Sequence, residues 1–184
     1  PQSNPGRGSS WTRKMPLVQF KKILDQISPK YGTPQINLEG SGEPTMAKDL
    51  FEYVKIVKEK NLKCFMYCNG ARLNGEFMKK VIDAGIDFIR ISVIGFNREV
   101  YKKWMNVDNF DLIMSNIKEL REYIKKTNSN CKVSTYHLIT DNSNIENEIN
   151  LYQKNVISNT RVTAYIWKMH NWSGNYNNEN PRKK

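Results

Sequence analysis

Two hydrophobic periods alternate along this chain, and that alternation limits its fold more than any other feature. Apolar residues recur at helical three-and-four spacing at Leu17, Phe20, Leu24 and Ile27, at Leu50, Phe51, Val54 and Val57, and at Phe77, Met78, Val81 and Ile82. The spacing returns at Ile113, Ile117, Leu120 and Ile124, and again at Ile145, Ile149, Tyr152 and Val156. Each set draws one apolar stripe along a helix, which must be buried against something. Between the stripes lie strand-like segments near 35–38, 62–67, 88–93, 132–139 and 161–167. Their starts fall roughly 25 to 45 residues apart, the length a strand and a crossover helix need to set the next strand parallel to the first. The expected fold class is therefore α/β, a parallel sheet with helices outside it. No internal repeat beyond this rhythm is visible. The first helix has no strand before it, so the pattern predicts one strand and its loop upstream of Pro1.

Composition narrows the class. A chain of 184 residues with 39% apolar content can build one core, and one domain is expected. The sequence shows neither an apolar run long enough to cross a bilayer nor a secretory leader, so a cytoplasmic location is expected. Three cysteines, Cys64, Cys68 and Cys131, are an odd number and argue for free thiols in a reducing compartment. The net charge of +11 would attract phosphate-rich partners, but its lysines (Lys55, Lys58, Lys60, Lys79, Lys80, Lys118, Lys125, Lys126) are spread over helix surfaces. They read as solvated faces rather than a nucleic-acid footprint. The opening segment, 1–15, is rich in Gly, Ser and Pro and reads as loop.

The residues that carry chemistry gather at the carboxyl ends of the expected strands. Gly40-Ser41-Gly42-Glu43-Pro44 follows the first strand, Asn69-Gly70 the second, and Ser92 ends the third. Barrels and open α/β sheets assemble their sites at that edge, because its loops converge. The two glycines around Ser41 let the backbone approach a ligand, and its amides and carbonyls, with the Glu43 carboxylate, suit a cationic amine better than a phosphate. The plain alternative is a simple strand-to-helix turn. Cys64 and Cys68 share one expected strand, about 13 Å apart at ~3.3 Å per residue, too far to ligate one metal centre together, and read as packed thiols. Cys131 reads the same way. His137 lies within a strand, as a buried structural residue or as a lumen residue that binds substrate or carries a proton. His170 lies in a polar tail, and neither histidine has a second metal ligand at chelating spacing. Glu39 and Glu43, across a turn, do not make a convincing acid/base pair. Tyr165 and Trp167 alternate with Ala164 and Ile166, so either face of the last strand could line a substrate cavity.

In this order, the motifs resemble the radical S-adenosylmethionine (radical SAM) superfamily. Its Gly-Gly-Glu-Pro turn is matched by GSGEP, with Gly42, Glu43 and Pro44 in place. Its Thr-Asn-Gly is matched by Cys68-Asn69-Gly70, and its Ile-Ser-Ile-Asp-Gly by Ile91-Ser92-Val93-Ile94-Gly95, without the Asp. Where some members place an Arg about a dozen residues later, this chain has Trp104, with Lys102 and Lys103 beside it. FDLIMSNIKEL is similar to the helix after the family's fourth strand, and PQSNPGRGS to the stretch that follows its Cys-x3-Cys-x2-Cys loop. His170-Asn171-Trp172-Ser173-Gly174 resembles the segment preceding auxiliary-cluster cysteines in members with a cysteine-rich, SPASM-like extension.

The resemblance implies a partial parallel (β/α) barrel of about five visible strands over 1–174, the first strand missing, with 175–184 a linker toward a C-terminal extension. It implies a 4Fe-4S cluster on cysteines upstream of Pro1, and S-adenosylmethionine placed by Gly40, Gly42, Glu43, Pro44, Asn69 and Ser92, with no metal ligand in this chain. It further implies 5'-deoxyadenosyl radical chemistry on an unidentified peptide, sugar or other small molecule, and an electron donor such as a flavodoxin or ferredoxin. The chain alone is expected to be inactive. The competing expectations are a basic module binding RNA, or a non-catalytic barrel kept for binding a protein partner.

Overall fold

The computed structural model describes residues 14–27, 32, 34–40 and 42–168. In chain order these form α1 (Leu17–Leu24), β1 (Gln35–Asn37), a 3-10 turn (Pro44–Met46), α2 (Leu50–Glu59), β2 (Lys63–Cys68) and α3 (Gly75–Asp83). Then come β3 (Phe88–Ser92), α4 (Arg98–Met105), α5 (Phe110–Thr127), β4 (Lys132–Leu138), α6 (Ile145–Tyr152), a π turn (Gln153–Ile157), α7 (Ser158–Thr160) and β5 (Thr163–Trp167). The predicted loop 1–15 is described only from Lys14 onward; the upstream strand, the 175–184 linker and the His170–Gly174 segment lie outside the described residues.

The strands form one sheet in the order β1-β2-β3-β4-β5, every neighbouring pair parallel. A monotonic order means that every crossover steps the same way, and the right-handed rule for such crossovers then puts the helices on one face. A doubly wound sheet would reverse its order and be covered on both faces. The architecture is the expected partial barrel, with an outer face under helices and an open inner face.

Strand alternation divides the side chains between those faces. Cys64, Met66 and Cys68 of β2 and Ile89 and Ile91 of β3 point outward into the helical layer and are at most 4% exposed. There they meet Val54 and Val57 of α2, Val81 of α3, and Ile113 and Ile117 of α5, all fully buried. Burying each such side chain contributes about 1.5–3 kcal/mol. Their strand neighbours, Phe65, Tyr67, Phe88, Arg90 and Ser92, are half-buried on the inner face.

Asparagine sets several of the chain reversals. Asn61, Asn106 and Asn128 take left-handed backbone angles just past α2, α4 and α5, with φ of 56°, 59° and 50°. Asn tolerates that region because its short amide bonds locally. Helix α4 was not expected from the sequence. Asn97 caps it, accepting the Val100 N–H at 2.9 Å, and it buries Tyr101, Trp104 and Met105. Its apolar stripe is barely two turns long and interrupted by Lys102 and Lys103, too short to register as a period. Several basic side chains are paired on the surface, Lys55 with Glu52, Lys79 with Glu76, and Lys58 and Lys63 both with Asp87. The exposed pairs among them stabilise little. Among the described residues no helix is long and apolar enough to cross a membrane.

Candidate functional site

The parallel sheet brings Gly40, Gly42, Glu43, Pro44, Asn69 and Ser92 to its carboxyl edge, in the loops after β1 and β2 and at the last residue of β3. Ser41 itself lies outside the described residues. Among the described residues, an added Cβ at Gly40 or Gly42 would meet nothing within 4 Å, so the backbone there is open on that side. The Ser92 hydroxyl carries no hydrogen bond among the described residues.

Glu43 links two of these loops. Its Oε1 accepts the Thr45 N–H at 3.1 Å and the Thr45 hydroxyl at 2.6 Å, and its Oε2 accepts the Asn69 N–H at 2.8 Å. Both oxygens thus accept hydrogen bonds from the protein, and the carboxylate ties the β1 loop to the β2 loop. Pro44 opens the 3-10 turn, where its missing N–H leaves nothing unsatisfied.

The β2 loop is fixed from two sides. Asn69 Oδ1 accepts the Ala71 N–H at 2.9 Å, closing a local turn. Asn116, on α5 and 4% exposed, donates to the Gly70 and Ala71 carbonyls at 2.9 and 3.2 Å. Gly70 has φ +78°, and a Cβ there would sit 2.6 Å from Ile91 Cγ2, so the position requires glycine.

His137 resolves in favour of structure. It is fully buried on the helix side of β4, stacked on Tyr152 of α6 with ring centroids 4.3 Å apart. Its Nδ1 accepts the Gly95 N–H at 3.2 Å, which leaves Nε2 to donate to Glu148 Oε1 at 3.0 Å. Glu148 also accepts the Thr140 N–H and hydroxyl and the Asp141 N–H at 2.7 to 3.0 Å. Burial raises the Glu148 carboxyl, but the bonds from His137, Thr140 and Asp141 outweigh it and hold the group below the ordinary carboxylate range. Sequence reading missed Glu148, although the signal was present: it lies three residues after Ile145 and four before Tyr152, on the buried stripe of α6.

The thiols are inert. Cys64, Cys68 and Cys131 are all buried, and burial pushes Cys64 and Cys131 up to about 12 and Cys68 also upward. No set of three or more His, Cys, Asp or Glu residues among those described could hold a metal ion. Trp104 is 9% exposed and, with Lys103, Phe96, Thr140 and Asn144, lines a cleft of about 460 Å³ between the loops after β3 and β4. Lys102 turns aside, 3.5 Å from Asp108.

On the inner face Arg90 packs among aromatic rings. Arg90 sits over the Tyr165 ring, 3.7 Å from its centroid, with Tyr67 and Phe88 at 5.0 and 5.2 Å. Tyr165 and Trp167 are 42% and 51% exposed there, so the large face of β5, not Ala164 and Ile166, borders the open side of the sheet.

The model of the Radical SAM superfamily matches residues 3–150. The chain belongs to the radical SAM superfamily. Among its relatives, a probable GTP 3',8-cyclase of Thermococcus kodakarensis is 33% identical over 110 residues, 60% of this chain and 35% of that protein. An Fe-coproporphyrin III synthase of Methanosarcina barkeri is 30% identical over 103 residues, 55% of this chain and 25% of that protein. The aligned part of this radical SAM chain spans about a third or less of the length of these relatives. The fold is similar to that of Streptococcus suis SuiB, with TM-score 0.70 at 17% identity over 92% of this chain and 37% of SuiB. The S-adenosylmethionine-bound form of SuiB matches with TM-score 0.65 at 17% identity over 89% of this chain and 37% of that one. The two relatives carry the names of enzymes, and the family in general works with S-adenosylmethionine and a 4Fe-4S cluster. The residues present fit the first of these and not the second. Among the described residues, open glycine backbone and an unengaged Ser92 hydroxyl share one edge, whereas every thiol of the chain is packed in the core.

Proposed function

We propose that this chain forms the ligand-placing and substrate-facing part of a radical SAM enzyme. S-adenosylmethionine would lie across the carboxyl edge, its methionine amine against the backbone of Gly40 and Gly42 and its ribose or carboxylate at Ser92. In this reading Glu43, Pro44 and Asn69 shape that edge. Glu43 and Asn69 act by holding two loops in register. The observation that carries this reading is that Gly40, Gly42 and Ser92, open or unengaged among the described residues, lie on the same carboxyl edge of a family-matched barrel. The barrel domain would run over 1–174, with 175–184 as a linker, and the cluster ligands would be cysteines upstream of Pro1. When bound, cluster and ligand together supply a 5'-deoxyadenosyl radical for hydrogen abstraction from a substrate on the inner face. A flavodoxin or ferredoxin would deliver the electron, in the cytoplasm.

The test is to read the coding sequence immediately upstream of Pro1 and to reconstitute the protein that includes it with iron and sulfide under anaerobic conditions. A Cys-x3-Cys-x2-Cys ending just before Pro1, with 5'-deoxyadenosine formed under reduction, is the expected result. A cysteine-free upstream segment, with steeply salt-dependent RNA binding indifferent to S-adenosylmethionine, would support a basic binding module instead.

A further inference from the structure

We infer that Arg90 is the anion-binding element of the substrate site, so that the substrate carries a carboxylate or phosphate group; this rests on the radical SAM reading above. Arg90 lies on the open inner face two residues before Ser92, and side chains two apart on a strand share a face. Their positions along the strand differ by about 7 Å, at roughly 3.3 Å per residue. A group on Arg90 would therefore lie deeper in the barrel than a ligand held at Ser92, on the side a substrate must occupy.

The surroundings of Arg90 orient its guanidinium without neutralising it. Of its five N–H donors, one pairs within the described residues, Nη1 to the Tyr67 hydroxyl at 3.3 Å. Its Nε is buried with no acceptor, and no Asp or Glu among the described residues lies within ion-pair distance. Arg98, by contrast, has Asp108 at 2.7 Å. Taking a cation partly out of water without a counter-ion is unfavourable. The faces of Tyr165, Tyr67 and Phe88 offset part of that cost through their ring quadrupoles, but they supply no acceptor. A guanidinium steadied on an aromatic face, with free donors in one plane, is what planar two-oxygen recognition of a carboxylate or phosphate requires.

The experiment titrates benzoate, phenyl phosphate and benzyl alcohol into the purified chain, following Tyr67 and Tyr165 ring signals by NMR and affinity by calorimetry. Saturable binding of at least one anion, shifting both rings, is expected, with none for the neutral alcohol. Arg90→Gln should weaken that binding about tenfold or more, which corresponds to about 1.4 kcal/mol. Arg90→Lys should retain part of it, and Lys118→Gln, an equal charge change on the surface, should leave it unchanged. Whichever anion binds tighter decides between carboxylate and phosphate. Binding equal in wild type and Arg90→Gln, a loss no larger than that of Lys118→Gln, or no saturable binding would each overturn the inference. Should Arg90→Gln melt early, the wild-type ring shifts and Arg90→Lys decide. The titration needs neither cluster nor S-adenosylmethionine, so its failure is separate from failure to form 5'-deoxyadenosine in the reconstituted protein.

Discussion

Glu43 Oε2 accepts the backbone N–H of Asn69 at 2.8 Å, joining the loop after β1 to the loop after β2. The other end of the edge is joined in the same manner, with Gly95 bonded to His137 and His137 to Glu148. Buried and half-buried polar side chains thus hold neighbouring β-α loops in fixed relation, and the candidate ligand edge takes its shape from them.

Glu43→Gln keeps the size of the side chain but replaces one acceptor oxygen with an amide that cannot accept. Either the Thr45 pair or the Asn69 N–H then loses its partner. The expected cost is about 1–3 kcal/mol in stability, read by urea unfolding. S-adenosylmethionine affinity should fall with it. Unchanged stability would show that the loop contact contributes nothing.

Gly42→Ala and Gly95→Ala should separate ligand placement from folding. A Cβ at Gly42 meets nothing within 4 Å, so stability should stay within about 0.5 kcal/mol while S-adenosylmethionine binding weakens. A Cβ at Gly95, with φ +126°, would sit 2.4 Å from the Tyr101 backbone nitrogen, an atom that cannot swing away. That variant should lose a few kcal/mol or fail to fold, as thermal melts would reveal.

Acid should destabilise the protein through Glu148. Its carboxyl is held below its ordinary value of 4.5 in the folded state, where burial opposes and the hydrogen bonds from His137, Thr140 and Asp141 favour the charge. A depressed folded value means that the contribution is complete above the unfolded value and is lost as pH falls through the folded one. Urea midpoints measured from pH 7 down to pH 3 should therefore drop below about pH 4.5. Glu148→Gln should start lower at pH 7 and lose less on acidification.

Thiol reagents should leave the folded chain untouched. Cys64 and Cys131 are pushed up to about 12 by burial, and Cys68 is raised as well, so no thiolate is available at neutral pH. Alkylation by iodoacetamide should go to completion only in denaturant. Iron and sulfide added to these 184 residues alone should give no cluster absorbance and no cleavage of S-adenosylmethionine. Reductive cleavage by this chain would refute the placement of the ligands outside it.

The sequence by itself determined the parallel α/β architecture, because the 3.6 and 2.0 residue periods record which side of each element is buried and the spacing of the strands permits only crossovers. It also fixed the edge on which Gly40, Gly42, Asn69 and Ser92 sit, since each follows or ends a strand. Helix α4 escaped it, its stripe of Tyr101, Trp104 and Met105 being too short and too basic between its apolar positions. What each polar residue does on that edge was decided only by the tertiary structure. Whether Glu43 faces a ligand or Asn69, whether His137 looks into the barrel or toward Glu148, and whether Arg90 has a counter-ion all depend on partners between 11 and 26 residues away or on another strand altogether. Periodicity reports the face a side chain occupies. Its hydrogen-bond partners are set by the packing of separate loops, which no local pattern encodes.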